Sequence, residues 1–177
     1  MGCGKSSVGR RLSELLCCPF MDLDSVIEEY AGKSIPEIFT EDGEAAFRAM
    51  EQKVLEALTG GGKMPLTYDR VNAAESEMVV LALGGGTLMT PECAELVQNN
   101  TRCIYLKASV ETLVEHLDNE ADKRPLLSGG DLRTRIENLM SRRSATYERT
   151  AHMIIDTDGK TVDEIASAIS YAWSTKH

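Results

Sequence analysis

The chain opens on Gly2-Cys3-Gly4-Lys5-Ser6, and directly behind it Val8, Leu12, Leu15 and Leu16 recur at helical spacing. Small residues that end in a lysine and a hydroxyl at a helix start form the second half of G-x-x-x-x-G-K-[ST], a loop whose backbone N–H groups close on phosphates. The helix N-terminus adds the positive end of its dipole. Lys5 would then reach the β- and γ-phosphates as a point charge, and the Ser6 hydroxyl would ligate Mg2+. Such a loop requires a strand, the loop and a helix in series, with that strand near the middle of a parallel sheet. The first glycine of the motif falls two positions upstream of Met1. We therefore expect Met1 to be an internal methionine and the first strand to be missing from these 177 residues, the natural protein carrying roughly ten more. The same residues satisfy M-G-x-x-x-[ST], an N-myristoylation pattern with Cys3 placed for a second acyl chain. The helix that follows, and the phosphate-handling residues downstream, favour the nucleotide reading.

The rest of the chain alternates as an open α/β sheet requires. The first helix is expected over residues 5–17, ended by Pro19, and the short apolar run Pro19-Phe20-Met21 delivers Asp22 and Asp24 to a strand end. A helix is expected over 25–31, and Ser34-Ile35-Pro36-Glu37 has the form of a capping box ahead of a long helical pattern over 44–58. Met78 to Leu83 is a continuous apolar run that ends at Gly84-Gly85-Gly86, as a buried parallel strand would. Thr90-Pro91 opens a helix, Cys103 to Leu106 reads as a strand, and Ser109 caps a helix to about Leu117. Residues 118–131 are polar, with Arg124-Pro125-Leu126-Leu127 embedded, which suits a mobile lid. A helix over 132–147, a strand over 153–156 and a second capping box at Thr161-Val162-Asp163-Glu164 complete the pattern.

At 177 residues the chain has the length of one domain. A net charge of -9 argues against a nucleic-acid backbone as partner, so anionic substrates must meet a local cluster of cations. The five cysteines are odd in number and lack C-x-x-C spacing, which fits reduced thiols in a cytoplasm. No apolar run reaches the ~18 residues of a membrane span.

Asp22-Leu23-Asp24 has the i, i+2 spacing that puts two carboxylates on one strand face, where one could hold a metal-bound water and the other act as a base. A pair of solvated turn acids is the alternative. The strand that ends at Gly84 lacks the aspartate with which many phosphate-loop hydrolases hold magnesium, so Asp22 is the candidate for that carboxylate. Three consecutive glycines lose much chain entropy unless a backbone must approach a ligand closely. Gly60-Gly61-Gly62 is a rival run, but it follows a helix and reads as a cap and loop. Arg48 and Glu51 at i, i+3 read on their own as a surface ion pair.

Taken together, G-C-G-K-S-S, D-L-D, F-R-x-x-E, G-G-G-T, R-P-L-L and R-R-x-x-x-Y, in that order, resemble the shikimate kinase family over nearly the whole chain. The resemblance implies one α/β domain over residues 1–177 of the phosphate-loop, nucleoside monophosphate kinase-like class, a parallel sheet flanked by helices with a lid at about 118–131. It implies transfer of the γ-phosphoryl group of ATP to the 3-hydroxyl of shikimate, on the route to chorismate and the aromatic amino acids, by a cytoplasmic monomer that needs Mg2+. ATP would be held by Gly2, Cys3, Gly4, Lys5, Ser6, Ser7 and Arg124, and Mg2+ by Ser6 and, through water, Asp22. Asp24 would bind the hydroxyl and take its proton, with Lys5 and the lid residue Arg124 completing the catalytic set. Arg48 and Arg143 would clamp the substrate carboxylate, Arg142 being a surface charge, and Gly84, Gly85 and Gly86 would let the sheet edge approach the substrate, Gly85 through its N–H. The connection from Thr59 to Glu77 is longer than the family usually shows, and His116 stands where it often has an arginine near adenine. A small polyol kinase of the gluconate kinase type, or a nucleotide-binding homologue without turnover, are the other functions the residues allow.

Overall fold

Four short parallel strands are packed among helices in the computed structural model, which describes residues 3–60, 78–119 and 132–175. Helix α1 spans Lys5–Leu15 and starts behind Gly4, whose left-handed backbone (φ 70°, ψ 22°) favours glycine at the last loop position. Its inner residues Val8 and Leu12 pack against Ile165, Ala166 and Ile169 of helix α8 (Val162–Ser174), so the first and last helices share one face of the molecule. Strand β1 (Phe20–Asp22) passes close beneath α1. A Cβ at Gly9 would stand 2.5 Å from the Phe20 ring, so glycine there lets the helix come down onto the strand and sets Ser6 beside Asp22.

Strand β2 (Val80–Ala82) pairs in parallel with β1, Phe20 opposite Val80 and Asp22 opposite Ala82. Strands β3 (Ile104–Lys107) and β4 (Met153–Asp156) form a second parallel pair. Among the described residues β2 and β3 do not pair with each other. Between the two pairs lies a cavity of about 640 Å3, walled by β2 and β3 and lined by Leu12 of α1 and Ile169 of α8. Among the described residues the Tyr105 hydroxyl is buried without a hydrogen-bond partner, and it belongs to a side chain of this lining. The expectation of a parallel sheet flanked by helices is met, with the sheet in two halves.

The second face is built by helices α2 (Leu23–Ala31), α3 (Ile35–Glu41), α4 (Gly43–Thr59) and α5 (Pro91–Asn100). Leu23, Ile27, Ile38 and Leu55 are each fully buried in its core, a burial worth ~1.5–3 kcal/mol per side chain before entropy is counted. The Glu37 carboxylate accepts from the Ser34 backbone N–H at 2.8 Å and from its hydroxyl at 2.6 Å, so the first expected capping box forms. The second does too, at Thr161 and Glu164. Helices α6 (Val110–Asn119) and α7 (Leu132–Thr150) pack together through Leu113, Leu117 and Ile136. Helix α7 runs three residues beyond the expected end at Tyr147. The lid expected at 118–131 lies, from residue 120 on, outside the described residues, as do most of the connection from Thr59 to Glu77 and Gly61-Gly62.

Candidate active site

Asp22 and Asp24 depart from the expected strand pair. Asp22 ends β1 and caps α2, its Oδ1 accepting the Asp24 backbone N–H at 3.2 Å, while Asp24 sits in the first turn of that helix. An aspartate directly before a helical run is a favoured N-cap, and the cap takes Leu23 and Asp24 out of the strand. The two carboxylates still serve one place. Asp22 turns its Oδ2 to the Ser6 hydroxyl, which donates at 2.9 Å, and Asp24 is half-buried. Burial first, then the charges of Asp22 and Glu51, push the Asp24 carboxyl above the ordinary aspartate value, and Lys5 pulls it back. Lys5 is thus close enough to be felt by Asp24. Cys3, Gly4, Ser6 and Ser7 surround the start of α1, whereas Gly2 and Arg124 lie outside the described residues.

The three glycines after β2 receive three of the predicted side chains. A Cβ at Gly84 would stand 2.9 Å from Asp24 Oδ1, and one at Gly86 would stand 2.8 Å from Arg48 Nη2. Between them the Gly85 carbonyl accepts from Arg143 Nη1 at 3.0 Å and from the Tyr147 hydroxyl at 2.5 Å. Glycine at 84 and 86 therefore leaves room for this close approach, and Asp24, Arg48 and Arg143 converge on one turn from three different helices. Arg142 is exposed, as expected.

The reading of Arg48 and Glu51 as a surface pair is corrected. Glu51 is only 1% exposed and accepts from Arg48 Nη1 at 2.7 Å, while its other oxygen accepts from the buried Thr87 hydroxyl at 2.7 Å. Its burial follows from the helix period, since Phe47, Glu51, Val54 and Leu55 share the inner stripe of α4. A carboxylate in an apolar stripe was the signal in the sequence that a pairwise reading missed. Partial burial works against the Arg48 charge, but the bond to Glu51, that carboxylate's charge and Glu44 outweigh it and raise its pKa. Thr87 and Tyr147, which stand in the G-G-G-T and R-R-x-x-x-Y runs without an assigned role, also join this region, the Thr87 hydroxyl donating to Glu51 and the Tyr147 hydroxyl to the Gly85 carbonyl.

Two of the thiols, Cys93 and Cys103, are poor candidates for nucleophiles. Burial pushes Cys93 and Cys103 up to about 11. All five cysteines are free.

Known proteins match this arrangement along almost its full length. The family model described as shikimate kinase matches residues 1–64 and 70–172. A shikimate kinase from Zymomonas mobilis is 41% identical over 172 residues, covering 97% of this chain and 88% of its own. One from Dictyoglomus turgidum is 38% identical over 172 residues, covering 96% and 90%. The chain belongs to the shikimate kinase family. Shikimate kinase activity, an ATP-dependent phosphotransfer in the shikimate pathway, is its activity. The family's fold is also the fold seen here. The shikimate kinase of Acinetobacter baumannii, solved in complex with shikimate, superposes with a TM-score of 0.81 at 31% identity, covering 99% of this chain and 89% of its own. That of Bacteroides thetaiotaomicron gives 0.79 at 27% identity, covering 98% and 94%. Among the described residues of this shikimate kinase family member, no helix is long and apolar enough to cross a membrane.

Proposed function

We propose that this chain moves the γ-phosphoryl group of ATP to the 3-hydroxyl of shikimate with Asp24 as proton acceptor and Arg48 and Arg143 as the clamp on the substrate carboxylate. The observation that carries this assignment is the convergence of one carboxylate and two guanidinium groups on Gly84, Gly85 and Gly86. A guanidinium can meet a carboxylate with two parallel charge-assisted bonds, each worth ~1.5–3 kcal/mol. A neutral polyol offers nothing to such a pair of arginines, which favours a carboxylated acceptor such as shikimate over an uncharged one.

The raised pKa of Asp24 suits its role, because a carboxylate that is less reluctant to hold a proton is a better acceptor at the moment of transfer. Lys5, and Arg124 from the lid, would offset the charge of the transferring phosphoryl group, a contribution for which one arginine can supply roughly 10³–10⁵ in rate. Gly2, Cys3, Gly4, Ser6 and Ser7 would hold the ATP phosphates, and Gly85 would offer its N–H to the substrate. The Ser6 hydroxyl and an Asp22 carboxylate oxygen, 2.9 Å apart, form the hard-oxygen donor set that suits Mg2+, which takes few protein ligands beside phosphates and water. When bound, the ion would neutralise phosphate charge. We further propose a single domain acting as a cytoplasmic monomer.

ADP release from Mg-ATP, measured with and without shikimate, tests the acceptor, and Asp24→Asn tests the base. Release is expected only with shikimate, and Asp24→Asn is expected to abolish it while leaving ATP affinity nearly intact. Unchanged turnover in Asp24→Asn would remove the base assignment.

A further inference from the structure

Thr87 is the first residue after the glycine turn and is wholly buried at the start of a single 3-10 turn, Thr87–Met89. Its hydroxyl donates to Glu51 Oε1 at 2.7 Å, and Glu51 Oε2 accepts from Arg48 Nη1 at 2.7 Å. The two oxygens of one buried carboxylate are thus spoken for by two donors on opposite sides. The terminal torsion of a glutamate is otherwise broad, so a carboxylate with one partner can swing and carry that partner with it. A threonine is suited to stop the swing, because its branched Cβ leaves few rotamers and fixes where the hydroxyl points. The turn adds to this. Thr87 N–H donates to the Gly84 carbonyl at 3.3 Å, and its Oγ1 would lie 3.1 Å from a Cβ at Gly84, on the turn that also receives Asp24.

We propose that Thr87 is a positioning residue for substrate recognition. Through Glu51 it fixes the direction of the Arg48 guanidinium and so joins the geometry of the glycine turn to that of α4. It touches neither substrate. The inference rests on the reading of Arg48 as a carboxylate clamp, and it adds that the clamp is aimed by a hydroxyl on the far side of a buried acid.

The test compares Thr87→Val, Thr87→Ala and Thr87→Ser with the unsubstituted chain, alone and combined with Arg48→Ala, by steady-state kinetics and thermal melting. Loss of the hydroxyl in Thr87→Val or Thr87→Ala is expected to raise the KM for shikimate about tenfold, with kcat and the KM for ATP within about twofold. Thr87→Ser, which keeps the donor, is expected to stay within about threefold of the parent KM. In the Arg48→Ala background, Thr87→Val is expected to add nothing, because the two act in series. A shikimate KM that rises with Arg48→Ala but not with either hydroxyl-free variant overturns the Thr87 role alone. A lowered melting temperature with no change in KM marks a packing role and does the same. An unchanged KM in Arg48→Ala overturns the clamp itself, and this inference with it.

Discussion

Gly86→Ala is expected to weaken shikimate recognition about ten- to a hundredfold while leaving the fold intact. The backbone at Gly86 (φ -103°, ψ -13°) is open to alanine, so no conformational penalty arises there. The added Cβ would stand 2.8 Å from Arg48 Nη2 and 3.1 Å from Nη1, against an ordinary contact that begins at 3.4 Å, so the nearer nitrogen must retreat by about 0.6 Å. It cannot do so freely, since Nη1 is held by Glu51 at 2.7 Å and Glu51 is buried. The guanidinium must either stretch that bond or turn its fork away from the turn. The loss of one charge-assisted bond to the substrate is ~1.5–3 kcal/mol, and each 1.4 kcal/mol is about tenfold in affinity. Initial rates at varied shikimate and saturating ATP, with a melting curve on the same sample, measure this. A parent-like KM would refute the claim that Arg48 must lie against this glycine, and an equal rise in the KM for ATP would refute the separation of the two sites.

Arg143→Ala is expected mainly to raise the KM for shikimate, since carboxylate binding is shared by ground and transition states; a loss confined to ATP affinity in the same rate assay would contradict it. Asp24 has its folded pKa raised above the ordinary 3.8, so ionising it costs folded stability, and the wild-type chain loses that increment as pH climbs from below 3.8 through the raised value. Asp24→Asn carries no such cost, and its melting temperature relative to wild type should therefore rise between about pH 3 and about pH 7; an equal difference at both ends would refute the shift. Alternate residues of a parallel strand bond to opposite neighbours, and the Val80 N–H donates to Pro19 of the β1 side, so the Leu81 amide faces the cavity between the half-sheets. Hydrogen exchange at Leu81 should be faster than at Val80, and equal protection would show that β2 is covered on that side.

The start of the first helix behind Gly4, the strands and the caps were legible in the sequence because each is a local device with few alternatives. Lysine and serine after glycine, a proline behind a threonine, and an S-x-x-E ahead of an apolar stripe each carry their own physical reason. The strand bounds were less legible. Asp22 serves at once as strand end and helix cap, and the stronger local signal at that point is the cap, which takes Leu23 and Asp24 into α2. The pairing of Glu51 was misread for a different cause. A count of i, i+3 charges sees only the partner on the same helix, whereas the second donor, Thr87, arrives from 36 residues away.

That misreading bears on how an acidic chain recognises acidic substrates. A net charge of -9 gives no long-range attraction for ATP or for a carboxylate, so recognition must act at contact distance. Glu51 offsets part of the field of Arg48 at the very place where a positive field would help, and an ion pair with one partner buried is weak evidence for stability alone. What the pair supplies is direction. The guanidinium has five donors; Glu51 holds Nη1, Glu44 reaches Nη2 at 3.5 Å and Gly86 lies against both, so the donors left over are aimed by the protein rather than by the ligand. On the proposed reading of Arg48, a clamp aimed in advance would lose little entropy when the carboxylate arrives, and that saving would offset the charge given up to Glu51.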